Sequence, residues 1–175
     1  MAYLPVTLEC RDLEQARLSA RQRLPVPLLV QVVQGTGLVR LGKDYYQLLP
    51  GRLCWLPANV LFTLGAEAGA RVRMAWFSSR LGLALPAQAG WLADGDWLGA
   101  VLDRAERAGG ESRARLLRVL ADELVDTKVS SLTQKLDWPA TQGPLLPLAQ
   151  IEAGRRGEHV DGLSLDPRPW RLNPA

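Results

Sequence analysis

The chain has 175 residues, of which 47% are hydrophobic and 22% charged. This length suits one domain, with or without an appendage. Such a domain can bury a hydrophobic core without disulfides or metals. Its net charge of +3 is spread among interleaved acidic residues, which disfavours a nucleic-acid-binding surface. Cys10 and Cys54 form no CxxC motif, and no signal peptide or run of about twenty apolar residues is present, so we expect a cytoplasmic protein without a membrane partner.

Residues 1–80 are predicted to form an antiparallel β-structure. The stretch "YLPVTLEC" predicts a strand, whereas "DLEQARLSARQRL" fits either a helix or a strand. From Pro25 to Ser79, short apolar runs rich in β-branched and aromatic residues alternate with turn signals, among them Gly42 and Pro57. Short strands at this spacing are typical of an antiparallel barrel or sandwich.

Residues 81–129 are predicted to form a helical segment packed on the barrel. After a Leu-Pro connector, "DGDWLGAVLDRAERAGG" has Asp94 or Asp96 as its N-cap and a stop at Gly109 and Gly110. Its predicted apolar face consists of Trp97, Val101 and Leu102.

A second helix is predicted at "ESRARLLRVLADELVDTKV", where Leu117, Leu120 and Leu124 recur at heptad-like spacing. This stripe packs on the barrel or pairs with its copy in another subunit. One repeat does not decide between the two, and we assign the three leucines to dimerisation as a hypothesis.

Residues 130–175 are predicted to form a proline-rich linker and an extended tail. Only "PLLPLAQIEAG" fits a turn or two of helix. Within this polar region Trp138, Trp170 and Leu172 are the side chains that could anchor the tail on the body of the protein.

Residues that could perform catalysis are scarce. The single histidine, His159, lies in the polar tail segment "GRRGEHVDG" and is predicted to be a solvated side chain. No HExxH, Walker or GxSxG motif is present, and the carboxylates form no convincing acid–base pair. We therefore predict no catalytic residues and no enzymatic activity.

The stretch "PGRLCWLPANVLFTLG" resembles the second cupin motif, which runs Gly-x5-Pro-x-Gly-x2-His. Gly51 and Pro57 match, and Asn59 replaces the turn glycine with a residue that tolerates a left-handed conformation. Phe62 replaces the metal-binding histidine, and no histidine or glutamate lies between Gly37 and Gly51. We predict a cupin barrel in which Phe62 is buried, with no metal and no cofactor.

The run "VVQGTGLVRLGKDYYQLLPGRLCWLPANVLFTL", followed by "VRMAWFSS" and the two helical segments, resembles the amino-terminal domain of AraC-type transcription regulators. The resemblance covers roughly Pro25 to Val125. It implies a cupin-like antiparallel β-barrel (jelly roll) followed by two amphipathic helices that dimerise. It also implies a non-catalytic module that senses a small organic effector and forms a homodimer.

The carboxyl end departs from that family, which continues through a linker into two helix-turn-helix units. "LDWPATQGPLLPLAQ" resembles the linker, but no helix-turn-helix fits the remaining sequence. The resemblance therefore implies a sensor without its own DNA reader and without direct DNA contact. The alternatives are a free-standing cupin with a metal-independent or unknown enzymatic role, and a pure protein-interaction module.

Effector-binding residues are predicted among the large and cationic side chains of the strands. Strand alternation prevents all of them from facing inward, and an arginine facing inward would indicate an anionic effector. The candidates are Arg40, Tyr45, Trp55, Phe62, Met74 and Trp76.

Overall fold

The structure, a computed structural model, describes residues 4–138, 143–157 and 168–173. No helix within these ranges is long and apolar enough to span a membrane. The strands are β1 (Val6–Asp12), β2 (Arg17–Leu18), β3 (Gln22–Arg23), β4 (Leu28–Gln34), β5 (Gly37–Leu41), β6 (Asp44–Leu48), β7 (Leu53–Leu56), β8 (Leu61–Ala66), β9 (Arg71–Phe77), β10 (Gly90–Leu92) and β11 (Val129–Ser130). The helices are α1 (Gly95–Arg107), α2 (Gly110–Leu124) and α3 (Leu146–Arg155), with 3-10 turns at Ser79–Leu81 and Gly143–Leu145.

The strands form two antiparallel sheets. Sheet A has the order β1-β9-β4-β7-β10-β11, and sheet B has the order β2-β8-β5-β6 with β3 also paired to β8. Alternate side chains of both sheets meet in one apolar cluster, which we call the inter-sheet core. Its buried members include Val30, Val39, Leu56, Phe62, Leu64 and Met74. This arrangement confirms the predicted cupin-like, mainly antiparallel β-fold with helices after it.

The hairpin around Pro57 has the shape that its sequence predicts. Asn59 adopts a left-handed conformation with φ of 66°, and its N–H donates to the Leu24 carbonyl at 2.8 Å. Phe62, at the start of the following strand, is 1% exposed and lies in the inter-sheet core. The cupin turn therefore keeps its geometry, and the position of the metal-binding histidine holds an apolar core residue.

The amino-terminal region forms strands β1, β2 and β3, although "DLEQARLSARQRL" also fitted a helix. β1 pairs along its length with β9, from Val6 opposite Phe77 to Asp12 opposite Arg71. β2 and β3 then pair with β8. The helical interpretation of "DLEQARLSARQRL" is therefore wrong, because its backbone satisfies its hydrogen bonds through two short ladders at the edge of sheet B.

α1 packs its apolar face on the side of sheet A that faces away from the inter-sheet core. Asp94 is the N-cap, with φ of 55° and no side-chain cap bond, and Gly110 begins α2 instead of ending α1. Val101 and Leu102 of the predicted apolar face are buried, but Trp97 is 53% exposed and Leu98 is the buried residue beside it. Placing Trp97 on the buried face was therefore wrong.

The leucine stripe of α2 lies inside its own chain. Leu117, Leu120 and Leu124 are 3%, 0% and 0% exposed, and they share an apolar cluster with Trp55 and with buried residues of α1. Packing on the sheet is thus the arrangement found. Dimerisation through these leucines stays a prediction, and it would require them to leave this core.

A buried arginine joins β9 to α1. Arg73 is 4% exposed, and its guanidinium contacts Gln31 Oε1 at 2.6 Å, Asp103 Oδ1 at 2.8 Å and Glu106 Oε1 at 3.2 Å. The neighbouring strand residue Arg71 donates to Glu106 Oε2 at 2.9 Å. These strand arginines hold the helix on the sheet.

Glu106 is expected to make stability sensitive to acid. Burial opposes its ionisation, but hydrogen bonds from Cys10, Arg71 and Arg73 outweigh burial and lower the pKa of Glu106 from 4.5 to about 2. A carboxyl whose pKa is lower in the folded state contributes stability that is complete above the unfolded pKa of 4.5 and is lost as the pH falls toward 2. Denaturant midpoints measured across this window should fall less steeply for Glu106→Gln than for the wild type. If the midpoints of the wild type and of Glu106→Gln fell in parallel with pH, the pKa of Glu106 would not be lowered in the folded state.

Candidate ligand-binding site

The six residues predicted to contact an effector lie in three separate places. Phe62, Met74 and Trp76 are in the inter-sheet core. Trp55 points to the opposite side of sheet A, where its Nε1 donates to the Pro86 carbonyl at 2.8 Å beneath the helices. Arg40 and Tyr45 lie together in a cavity on the outer side of sheet B. The alternation of side chains along a strand produces this division.

The cavity that contains Arg40 and Tyr45 lies between sheet B and α3. Its volume is about 640 Å³, within the range of small-molecule sites, which is about 300–1,000 Å³. We call it the arginine cleft. It is lined by Leu18, Ser19, Ala20, Arg21, Arg40, Tyr45, Thr63, Trp138, Glu152, Arg155, Arg156 and Pro169.

Two stacked aromatic rings form one wall of the arginine cleft. The Tyr45 and Trp138 rings are 4.2 Å apart at an angle of 10°, and the Arg40 guanidinium lies 5.2 Å from the centre of the Tyr45 ring. Trp138 Nε1 is buried and has no hydrogen-bond partner among the described residues. The stacked rings of Tyr45 and Trp138 therefore give the cleft a flat aromatic wall.

Charge in the arginine cleft is predominantly positive. Among the described residues that line it, Arg21, Arg40, Arg155 and Arg156 face the one carboxylate of Glu152. Glu152 Oε1 accepts from Tyr45 Oη at 2.5 Å and from Arg156 Nη1 at 2.9 Å. One carboxylate against four guanidinium groups leaves an excess of positive charge, which favours an anionic ligand.

Tyr45 is a neutral donor at the wall of the cleft. Burial, with the hydrogen bond to Glu152 and its negative charge, raises the pKa of Tyr45 to about 12. The hydroxyl is therefore protonated at neutral pH and donates to Glu152.

Arg155 ties α3 to the edge of sheet B. Its guanidinium donates to the carbonyls of Leu18 at 2.6 Å and Ser19 at 3.0 Å. Sequence reasoning missed Glu152, Arg155 and Arg156, although "QIEAGRR" places Glu152 and Arg156 four residues apart at the carboxyl end of the short helix. That spacing was the available signal, but it does not reveal that the helix packs beside Tyr45.

Neither thiol is suited to nucleophilic chemistry. Burial raises the pKa of Cys54 to about 12. For Cys10, burial and the hydrogen bond to Glu106 raise the pKa to about 11. Both thiols are therefore protonated at neutral pH, whereas the reactive form of cysteine is the thiolate.

The residues at the cupin metal position do not fit a metal ion. Phe62 offers no ligand atom, and within residues 4–138, 143–157 and 168–173 no group of three or more His, Cys, Asp or Glu side chains could hold one. His159 lies outside the described residues.

Comparison with known families decides the classification of the fold. Residues 13–127, more than half of the chain, match the family model described as the AraC-like ligand binding domain. The chain belongs to this family. The sheets and both α1 and α2 of the AraC-like domain lie largely within the match, whereas Trp138 and α3 lie after it. The arginine cleft is therefore formed between the AraC-like domain and the segment that follows it.

Solved structures with similar folds include regulators and cupins. An apo ToxT variant from Vibrio cholerae has a TM-score of 0.47 and 10% identity, over 96% of this chain and 68% of ToxT. ToxT with an unsaturated fatty acid bound has a TM-score of 0.44 and 11% identity, over 87% of this chain and 63% of ToxT. A cupin superfamily protein from Desulfitobacterium hafniense has a TM-score of 0.40 and 10% identity, over 44% of this chain and 71% of that protein. A search of curated proteins gave no match.

Proposed function

We propose that this AraC-like domain is a non-catalytic sensor of a transcription regulator and that its effector is a small organic anion bound in the arginine cleft. The observation that carries the proposal is the chemistry of that cleft. Four arginines, one carboxylate and a stacked aromatic pair line a cavity of ligand size beside a ligand-binding-domain fold.

The cleft offers a separate contact for each part of such an effector. A carboxylate would accept charge-assisted hydrogen bonds from Arg40 and Arg156, which at present donate to the Gly42 carbonyl and to Glu152. A planar ring would lie against the aromatic wall formed by Tyr45 and Trp138. These contacts favour a planar or short-chain organic acid over a sugar.

Ligand binding in this place would be transmitted to the segment after the matched domain. The cleft has sheet B on one side and α3 on the other, so a ligand that contacts both stabilises their packing. The stabilisation grows with RT ln(1 + [L]/Kd), about 2.7 kcal/mol at a hundredfold excess of ligand over Kd. Occupancy would thereby fix the position of α3 relative to the domain.

A homodimer is part of the proposal, and no DNA contact is assigned to the described residues. With the leucine stripe of α2 enclosed, the apolar side chains that α1 and α2 expose are the ones available to a second copy. Among them, Trp97 is 53% exposed and Val119 is 41% exposed. These two residues are the proposed starting points for mapping the interface.

Arg40→Gln is expected to weaken the binding of organic acids at least about tenfold, because one charge-assisted hydrogen bond contributes about 1.5–3 kcal/mol. A thermal-shift screen would compare benzoate, phenylacetate and hexanoate with their neutral amides. Acids should raise the melting temperature of the wild type more than the amides do.

The matched control is Arg118→Gln, which removes an exposed guanidinium from α2, where Arg118 pairs with Asp122 at 3.2 Å. This variant should respond to the acids as the wild type does. The proposal fails if no acid gives a shift, or if Arg40→Gln and Arg118→Gln respond alike.

A further inference from the structure

The segment Arg168–Asn173 places two side chains inside the inter-sheet core. Trp170 is 5% exposed and Leu172 is 2% exposed, and both belong to the same apolar cluster as Met74 and Trp76. The segment lies beyond the family match, which ends at residue 127. Part of the interior of the AraC-like domain is therefore filled by a part of the chain that does not belong to the matched domain.

The polar contacts of this segment are isolated hydrogen bonds, and residues 168–173 form no strand. The Trp170 N–H donates to the Leu18 carbonyl at 3.0 Å. Arg11 donates to the carbonyls of Arg171 and Asn173, and Arg155 donates to the carbonyl of Arg168 at 3.3 Å. These side-chain contacts are exposed, where water competes with each bond. The attachment thus depends chiefly on burial of the two apolar side chains.

Two donors in the same core lack acceptors. Trp76 Nε1 and Trp91 Nε1 are buried and have no hydrogen-bond partner among the described residues, and both tryptophans belong to the inter-sheet core. Trp170 and Leu172 fill apolar space but offer no side-chain oxygen. Trp76 is the nearer of the two, since Arg11 lies 5.8 Å from the Trp76 ring and also donates to the segment. An occupant whose oxygen reached Trp76 Nε1 would satisfy a donor that the present one leaves unpaired.

We propose that residues 168–173 form an internal plug that competes with an apolar, acceptor-bearing molecule for the space between the two sheets. This inference rests on the sensing function proposed above, but the plug lies between the two sheets and not in the arginine cleft. The competing molecule is of the size of an indole ring and bears a carbonyl or carboxylate oxygen. Its binding releases the carboxyl-terminal segment, which makes release of the segment the structural output of binding.

The first test uses the full chain with Trp170→Ala, titrated by calorimetry with indole and with indole-3-carbaldehyde. The variant should bind indole at least about tenfold more tightly than the wild type, since it contains a cavity of matching shape. Indole-3-carbaldehyde, which adds an acceptor oxygen, should bind the variant more tightly than indole does. Trp97→Ala, which removes an exposed tryptophan, should behave as the wild type.

A second test avoids the cavity variant in case Trp170→Ala does not fold. The wild-type chain carrying 5-fluorotryptophan is titrated with indole-3-carbaldehyde, and the Trp170 resonance is assigned from its absence in Trp170→Phe. The proposal predicts that this resonance moves to the position of a solvent-exposed tryptophan. It is overturned if the resonance stays in place at millimolar ligand, or if folded Trp170→Ala binds indole no better than the wild type. The fluorine resonance reports on Trp170, whereas the acid screen reports on the arginine cleft, so failure of the plug and failure of the cleft are distinguishable.

Discussion

Arg73→Met is expected to lower the free energy of unfolding by about 3 kcal/mol, because it removes one partner from a buried ionic network. Arg73 is 4% exposed, and its loss leaves Gln31 and Glu106 without the guanidinium that they contact at 2.6 Å and 3.2 Å. Methionine keeps the apolar stem of arginine, so the change isolates the hydrogen bonds and the charge. Guanidinium denaturation followed by circular dichroism measures the effect as a lower midpoint at an unchanged slope.

Arg118→Met is the matched control for this change. Arg118 pairs with Asp122 on the surface of α2, and the two side chains are 48% and 55% exposed. An exposed pair of this kind contributes about 0.3–0.5 kcal/mol. If Arg73→Met proved no more costly than Arg118→Met, the network would not be what holds α1 on sheet A.

Leu120→Asp is expected to unfold the domain at 25 °C or to lower its stability by more than about 4 kcal/mol. Leu120 is 0% exposed among the residues of the cluster beneath α1 and α2. A carboxylate in its place would be buried without a partner, which is among the most destabilising changes known. Circular dichroism and thermal unfolding measure the loss.

Val119→Asp separates this effect from dimerisation. Val119 adjoins Leu120 on α2 but is 41% exposed, so stability should change by no more than about 0.5 kcal/mol. Analytical ultracentrifugation of this folded variant then tests whether the exposed face of α2 takes part in a homodimer. If Leu120→Asp folded and was monomeric while the wild type was dimeric, Leu120 would not be a core residue. The leucine stripe would then be part of the dimer interface.

Local patterns predicted the parts of the fold that local physics determines. The turn at Asn59, the burial of Phe62 and the two helices follow from spacing and turn chemistry within a few residues. Trp97 was assigned to the wrong face of α1. Trp97 and Leu98 are consecutive apolar residues, and the spacing of apolar residues does not show which of the two faces the sheet.

The candidate site could be predicted only in part. Arg40 and Tyr45 were identified as strand residues with binding chemistry, but Glu152, the hydrogen-bond partner of Tyr45, is 107 positions away from it. Contacts over such separations depend on how the chain after the domain packs, which periodicity does not contain. Trp170 and Leu172 were predicted to be anchors because they are apolar in a polar region, and their burial confirms this. The surface that they contact was not predictable.

Hydrogen–deuterium exchange of the wild-type chain, with and without the organic acid that gives the largest thermal shift, tests the central claim most directly. Binding in the arginine cleft predicts slower exchange in β5 and β6 and in α3, since these elements line the cavity. Exchange in α1 and α2 should not change. Protection confined to α1 and α2, with none in β5, β6 or α3, would contradict the placement of the effector site.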